Sequence, residues 1–133
     1  YWQNPPANDL FGSKPINQWL EKQNMSLLRQ DGEIAPGLFW RHAPGHTGGI
    51  GLVHFVDGNL RRVVLAGDAC KTYRELVTGN GGEAYDPLGR TADTIEWIRS
   101  NADIIVCGHH PLLTRAEHGW IWSDLTNLEL IVR

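Results

Sequence analysis

At 133 residues the chain has the length of one ordinary domain, and 41% hydrophobic with 20% charged residues is a globular composition that excludes a disordered chain. A net charge of −3 without a basic stripe gives no electrostatic support for nucleic-acid or membrane-surface binding, and no apolar run reaches membrane-spanning length. Two cysteines, Cys70 and Cys107, are too few for a disulfide scaffold and read first as small buried hydrophobes.

The opening YWQNPPANDLFGSKP has neither an initiator Met nor the apolar core of a signal peptide, and its prolines predict an irregular lead-in. It reads as a chain whose native start is missing, so location stays open, with the cytoplasm favoured. Ile16, Trp19 and Leu20 then suit a short helix that breaks near Asn24. DGEIAPGLFW predicts a turn, a few strand residues around Ile34, a second turn at Pro36-Gly37 and a strand starting at Leu38. IGLVHFV (50–56) and RRVVLAG (61–67) flank Asp57-Gly58, a hairpin signal. Their continuous apolar character predicts strands covered on both faces.

KTYRELVTGN reads as a short helix ended by Gly79, and GNGGEAYDPLG as a glycine-rich loop. TADTIEWIRSNA predicts a helix with Asp93 and Glu96 spaced as a capping box and Ile95 and Ile98 facing inward. DIIVCGHHP follows as a short buried strand ending in a turn, and GWIWSDLTNLELIVR suits terminal strands. Trp97, Trp120 and Trp122 read as packing residues. No repeat or linker divides the chain, so one domain is expected over 1–133, with 1–26 as lead-in and short helix. The element order predicts α/β with a mixed sheet.

Three side chains with metal-ligand chemistry share one placement. His46 lies in the turn before a buried strand, Asp68 ends RRVVLAGD, and His109 ends DIIVCGH. Functional groups collect at strand ends in α/β sheets, where loops bring distant residues together. A neighbouring glycine lets the backbone bend sharply or approach a site closely. Imidazole and carboxylate together suit a borderline cation such as zinc, so a shared metal site is expected.

PGHTGG, VVLAGDA and ADIIVCGHH, in that order, resemble the later metal-binding motifs of the metallo-β-lactamase-fold hydrolases. HAPGHTGGIGLVHF is similar to that family's HTPGHTPG segment, with Ala43 where Thr is frequent, and DGEIAPGLFW to its usual lead-in. The resemblance covers roughly residues 27–111. It implies the C-terminal portion of an αββα sandwich with one or two zinc ions, or other divalent metals, at the edge between two sheets. His46 would then bind one metal, His109 the other, and Asp68 would bridge both and be the catalytic residue through them. The implied reaction is hydrolysis of an ester, lactone, thioester, lactam or phosphodiester by metal-activated water, with a small-molecule or ester-type substrate. Asp68 stands where some true β-lactamases of this fold use Cys, which disfavours that subclass.

The family's first motif, His-x-His-x-Asp-His, is absent, and residues 1–41 contain no histidine. The chain is therefore expected to be part of a longer enzyme and to bind metal weakly and turn over poorly by itself. His42 is expected beside the ligands rather than among them, His110 and Lys71 at the substrate edge or in solvent, and His54 within the core. Lys71 and Arg74 read as solvated helix charges that could meet an anionic substrate, and His118 as a loop residue. Two other readings compete. VVLAGDA and VCGHHPLL resemble calcineurin-like metallophosphoesterases, but Lys71 stands where that family wants a second Asp. A non-catalytic half-fold would bind a partner or form a homodimer to cover its exposed face.

Overall fold

The computed structural model describes residues 18–24, 26–82, 86 and 88–122. The expected lead-in, the ends of the first helix and of the glycine-rich loop, and the tail beyond Trp122 lie at least partly outside the described residues. Helical residues 18–20 lead into a turn at 21–22, consistent with a break near Asn24.

Seven strands form one sheet in chain order: β1 (Gly32–Ala35), β2 (Leu38–His42), β3 (Gly51–Val56), β4 (Arg62–Gly67), β5 (Ile104–Cys107), β6 (Leu113–Ala116) and β7 (Gly119–Trp122). Every neighbouring pair is antiparallel except β4 and β5, which run parallel. A parallel pair needs a long crossover. Here it carries two helices, α1 (Tyr73–Thr78) and α2 (Thr91–Asn101). The expected α/β class with a mixed sheet is what the chain adopts.

The helices cover one face of the sheet. Leu52, Val64, Ala66, Ile105, Cys107 and Leu113 point to that face and pack with Leu76, Ile95 and Ile98 into the main core. The two inward isoleucines of α2 are fully buried, as their spacing predicts. Phe55, Val63, Ile104 and Leu112 point to the other face, with Leu38 and Val106 partly buried beside them. Leu65 is 37% exposed on that side. Coverage on both faces of β3 and β4 is thus incomplete: the apolar run does extend across both faces, but the helices account for only one.

One local expectation fails, and another holds with a backbone geometry of its own. Helix α2 starts one turn earlier than its expected capping box, with Arg90 at the N-cap and no side-chain cap. The capping box belongs to α1 instead, where Thr72 and Glu75 exchange hydrogen bonds with each other's backbone N–H. The hairpin between β3 and β4 does turn at Asp57-Gly58-Asn59-Leu60, but the left-handed residue is Leu60 at φ 62° rather than the glycine. Asp57 closes this turn by accepting from the N–H groups of Asn59 and Arg61 at 2.9 Å each and from the Arg61 guanidinium. Burial pushes its carboxyl pKa up, but these hydrogen bonds outweigh burial and leave it below its ordinary value.

Candidate metal centre

Strand direction explains why three distant residues meet. Because β3 is antiparallel to β4, and β4 parallel to β5, the start of β3 lies at the same end of the sheet as the finishes of β4 and β5. The loop before β3 carries His46, the turn after β4 carries Asp68, and the turn after β5 carries His109.

The backbone leaves β4 through a one-residue bulge. Leu65 pairs with Val106 and Gly67 with Cys107, so Ala66 is the extra residue, and Gly67 follows at φ 50°. Glycine tolerates this left-handed conformation, which turns Asp68 out of the strand direction. Gly108 matters for a different reason. A Cβ at Gly108 would stand 2.8 Å from Asp68 Oδ1 and 2.8 Å from the Gly67 carbonyl oxygen, so the carboxylate fits only because that side chain is missing.

The Asp68 carboxylate lies between two imidazoles. Its Oδ1 is 3.1 Å from His109 Nε2 and its Oδ2 is 3.5 Å from His46 Nε2. Ligand atoms about 2.0–2.2 Å from a shared tetrahedral zinc stand about 3.3–3.6 Å apart, so the donor types suit a metal-binding edge and the His46 separation fits one, while His109 at 3.1 Å stands at hydrogen-bond distance from the carboxylate. The donor number does not complete it. The imidazoles flank opposite oxygens instead of converging, each side has two donors, and among the described residues no group of three or more His, Cys, Asp or Glu side chains could hold a metal ion. A zinc site takes three or four protein ligands.

The His46 loop is held from several directions. The Nε2–H of His42 donates to the Gly48 carbonyl at 2.8 Å, and the N–H of Ala43 to that of Ile50 at 3.0 Å. The Thr94 hydroxyl donates to the Pro44 carbonyl at 2.6 Å, and the N–H of Asp86 to that of Gly45 at 3.1 Å. Gly45 sits at φ 154° with Thr91 so close that a Cβ would approach the Thr91 Cα to 2.8 Å. His42 therefore shapes the loop.

Asp86 and Arg90 form the buttress behind this loop. The carboxylate is fully buried and accepts from the Arg90 backbone N–H at 3.0 Å and from its guanidinium at 2.8 and 2.9 Å. The guanidinium holds the Asp86 pKa down to about 2 despite burial. Neither residue stands out in the sequence except by i, i+4 spacing. A cavity of about 170 Å³ between Arg41, His42, Pro44, Arg90, Thr94 and Trp97 lies behind the loop and contains none of the three donors.

The turns carrying Asp68 and His109 are stitched together by backbone. Gly108 N–H donates to the Cys70 carbonyl at 3.2 Å and His109 N–H to that of Lys71 at 2.8 Å. Cys70 and Cys107 lie buried beneath, as free thiols within hydrogen-bonding reach of each other, and that contact with burial pushes the Cys70 thiol pKa up. Glu75, to which sequence reading assigns no role, accepts from the N–H groups of Lys71, Thr72 and Gly82 and fixes the same turn. Its only sequence signal is the T-x-x-E spacing of the capping box.

The remaining candidates separate cleanly. His54 is half-buried at the margin of the core rather than within it, stacked on Phe39 at 5.5 Å and tilted against Trp97 at 5.4 Å. His118 lies on the exposed turn between β6 and β7. Trp97 and Trp120 pack at the edge of the core, each under an arginine, Arg41 at 4.4 Å and Arg115 at 4.6 Å. Trp122 does not: it is 67% exposed and faces His110, with ring centroids 5.1 Å apart. Packing explains two of the three tryptophans.

No protein-family model and no curated protein matches the chain. Solved structures do. An N-acyl homoserine lactone hydrolase with the product N-hexanoyl-L-homoserine at its catalytic metal centre matches with TM-score 0.55 and 24% identity, over 64% of this chain and 35% of that one. A B. thuringiensis enzyme with N-decanoyl-L-homoserine bound at the active site gives 0.55 and 24% over the same shares. A quorum-quenching N-acyl homoserine lactone lactonase gives 0.55 and 22%, over 72% of this chain and 42% of the other. These are metallo-β-lactamase-fold hydrolytic enzymes, and this chain shares their fold over the matched part. It spans between 35% and 42% of their length. No helix among the described residues is long and apolar enough to cross a membrane.

Proposed function

We propose that this chain supplies part of the catalytic centre of a metal-dependent hydrolase. The observation that carries the reading is the Asp68 carboxylate placed between His46 and His109, one oxygen to each imidazole. His46 and Asp68 would hold one divalent ion and His109 and Asp68 the other, zinc being the natural choice for these donors. When bound, such ions polarise the attacked oxygen and lower the pKa of a water. Asp68 can serve both because a carboxylate offers two separately directed oxygens. The stitched turns fix His109 relative to Asp68, and the anchored loop fixes His46, so the donors need little reorganisation on binding.

A carboxylic ester or lactone is the substrate class we favour, since the enzymes sharing this fold act on lactones. With two donors per ion, the chain alone is expected to bind zinc more weakly than about 1 µM and to turn over slowly. Zinc titration by calorimetry tests this. Asp68→Ala should weaken binding more than His46→Ala or His109→Ala, because it removes a donor from both ions. Zinc binding that survives all three substitutions unchanged would remove the reading.

A further inference from the structure

We propose that Cys70 and Cys107 are a reversibly oxidisable pair whose disulfide locks together the two turns that carry Asp68 and His109. The chain has two cysteines, and they come from segments far apart in sequence. The fold sets both in the main core as free, buried thiols. Packing as small hydrophobes explains their burial, but not their meeting at the seam between the two donor turns.

The backbone brings them together from both sides. Cys107 stands opposite Gly67 in the parallel pairing of β5 with β4. The chain then turns tightly, and the Cys70 N–H donates back to the Gly67 carbonyl at 3.3 Å. Cys70 is therefore folded over the residue that faces Cys107. From the other side, Gly108 N–H donates to the Cys70 carbonyl at 3.2 Å, and His109 N–H to that of Lys71 at 2.8 Å. The missing side chain at Gly108 permits this approach, since a Cβ there would stand 2.8 Å from the Gly67 carbonyl oxygen. The two thiols lie within hydrogen-bonding reach of each other. A disulfide joins Cα atoms about 4.4–6.8 Å apart, the spacing of residues on directly neighbouring backbones.

Accessibility gives the order of events. Cys70 is fully buried and Cys107 is 5% exposed, so a small oxidant such as hydrogen peroxide meets the Cys107 sulfur first. Attack by that sulfur breaks the O–O bond. One oxygen stays on sulfur as a sulfenic acid, and the other leaves as water with the thiol proton. The Cys70 sulfur then displaces the sulfenic oxygen, which leaves as a second water with the second thiol proton. Two thiols thus give up two electrons to form one disulfide, and one peroxide is reduced to two waters. A dithiol reductant reverses the change by thiol–disulfide exchange. The new bond spans a seam otherwise held by two backbone hydrogen bonds, and it closes the segment carrying both helices into a ring.

A small excess of hydrogen peroxide added to the reduced full chain tests this. The monomer should lose two hydrogens in intact mass, leave no thiol for alkylation after denaturation, and regain both with dithiothreitol. Because the chain holds no third cysteine, that loss assigns the bond. In the oxidised chain the Gly108 and His109 amides should exchange hydrogen more slowly, by about tenfold or more, since a covalent bond now restrains opening of the seam. Cys70→Ser, its fold checked by circular dichroism, should stop at a sulfenic acid on Cys107 that dimedone traps; the wild-type mass and exchange readings do not depend on that variant. Two thiols still free once Met25, the one methionine, has become a sulfoxide overturn the proposal. So do a sulfinic acid formed without a disulfide, and a cross-linked chain with unchanged exchange at Gly108 and His109.

Discussion

Leu60 occupies a backbone region that suits glycine or asparagine, at φ 62°, while its side chain is 87% exposed. The strain comes with no compensating burial. Leu60→Gly should therefore raise stability by about 0.5–1 kcal/mol, the relief of left-handed strain exceeding the added freedom of the unfolded chain. A urea midpoint equal to or below that of the parent protein would contradict this. The tight turn itself was legible in DGNL; which of its four residues bears the positive φ was not, because the Asp57 side chain reaches forward to three donors on Asn59 and Arg61 and so sets the backbone that follows it.

At the scale of elements, the loop before β3 is the best place to separate positioning from ligation. Gly45→Ala should destabilise the protein by about 2 kcal/mol, since both its φ of 154° and its closeness to Thr91 oppose a Cβ. It should also weaken zinc binding through the adjacent His46 while leaving every donor in place. Gly32→Ala, with open space around the added atom, is the matched control and should change stability by less than about 0.5 kcal/mol. Strand ends and glycines announced His46, Asp68 and His109 in the sequence, because local pattern places residues at the ends of β3, β4 and β5. What holds those ends was silent. Thr94 reaches Pro44 across 50 positions and Glu75 serves three N–H groups, and neither leaves a periodic trace.

Over the whole molecule, stability should fall in two steps as pH drops. Burial, with the nearby Arg62 and Arg41 charges, lowers the His54 pKa below its ordinary 6.5, so the unfolded chain takes up that proton first and stability declines as pH falls below about 6.5. Asp86, held at about 2, stabilises the fold above its ordinary 3.8 and loses that contribution as pH falls from about 4 toward 2. Urea unfolding at pH 7.5, 5.5, 4 and 2 checks this. His54→Gln should shrink the upper step and Asp86→Asn the lower one; an upper step of unchanged size in His54→Gln would count against the assignment.

The single parallel pairing sets the order in which the protein can assemble. Strands β1 to β4 form a run of antiparallel neighbours joined by connections far shorter than the one between β4 and β5, so their contacts close with less loss of chain entropy. The pairing of β4 with β5 joins Val63 to Ile104 and waits for both helices to settle between them. Asp68 and His109 therefore come together late, and their contact reports that the longest loop in the sheet has closed.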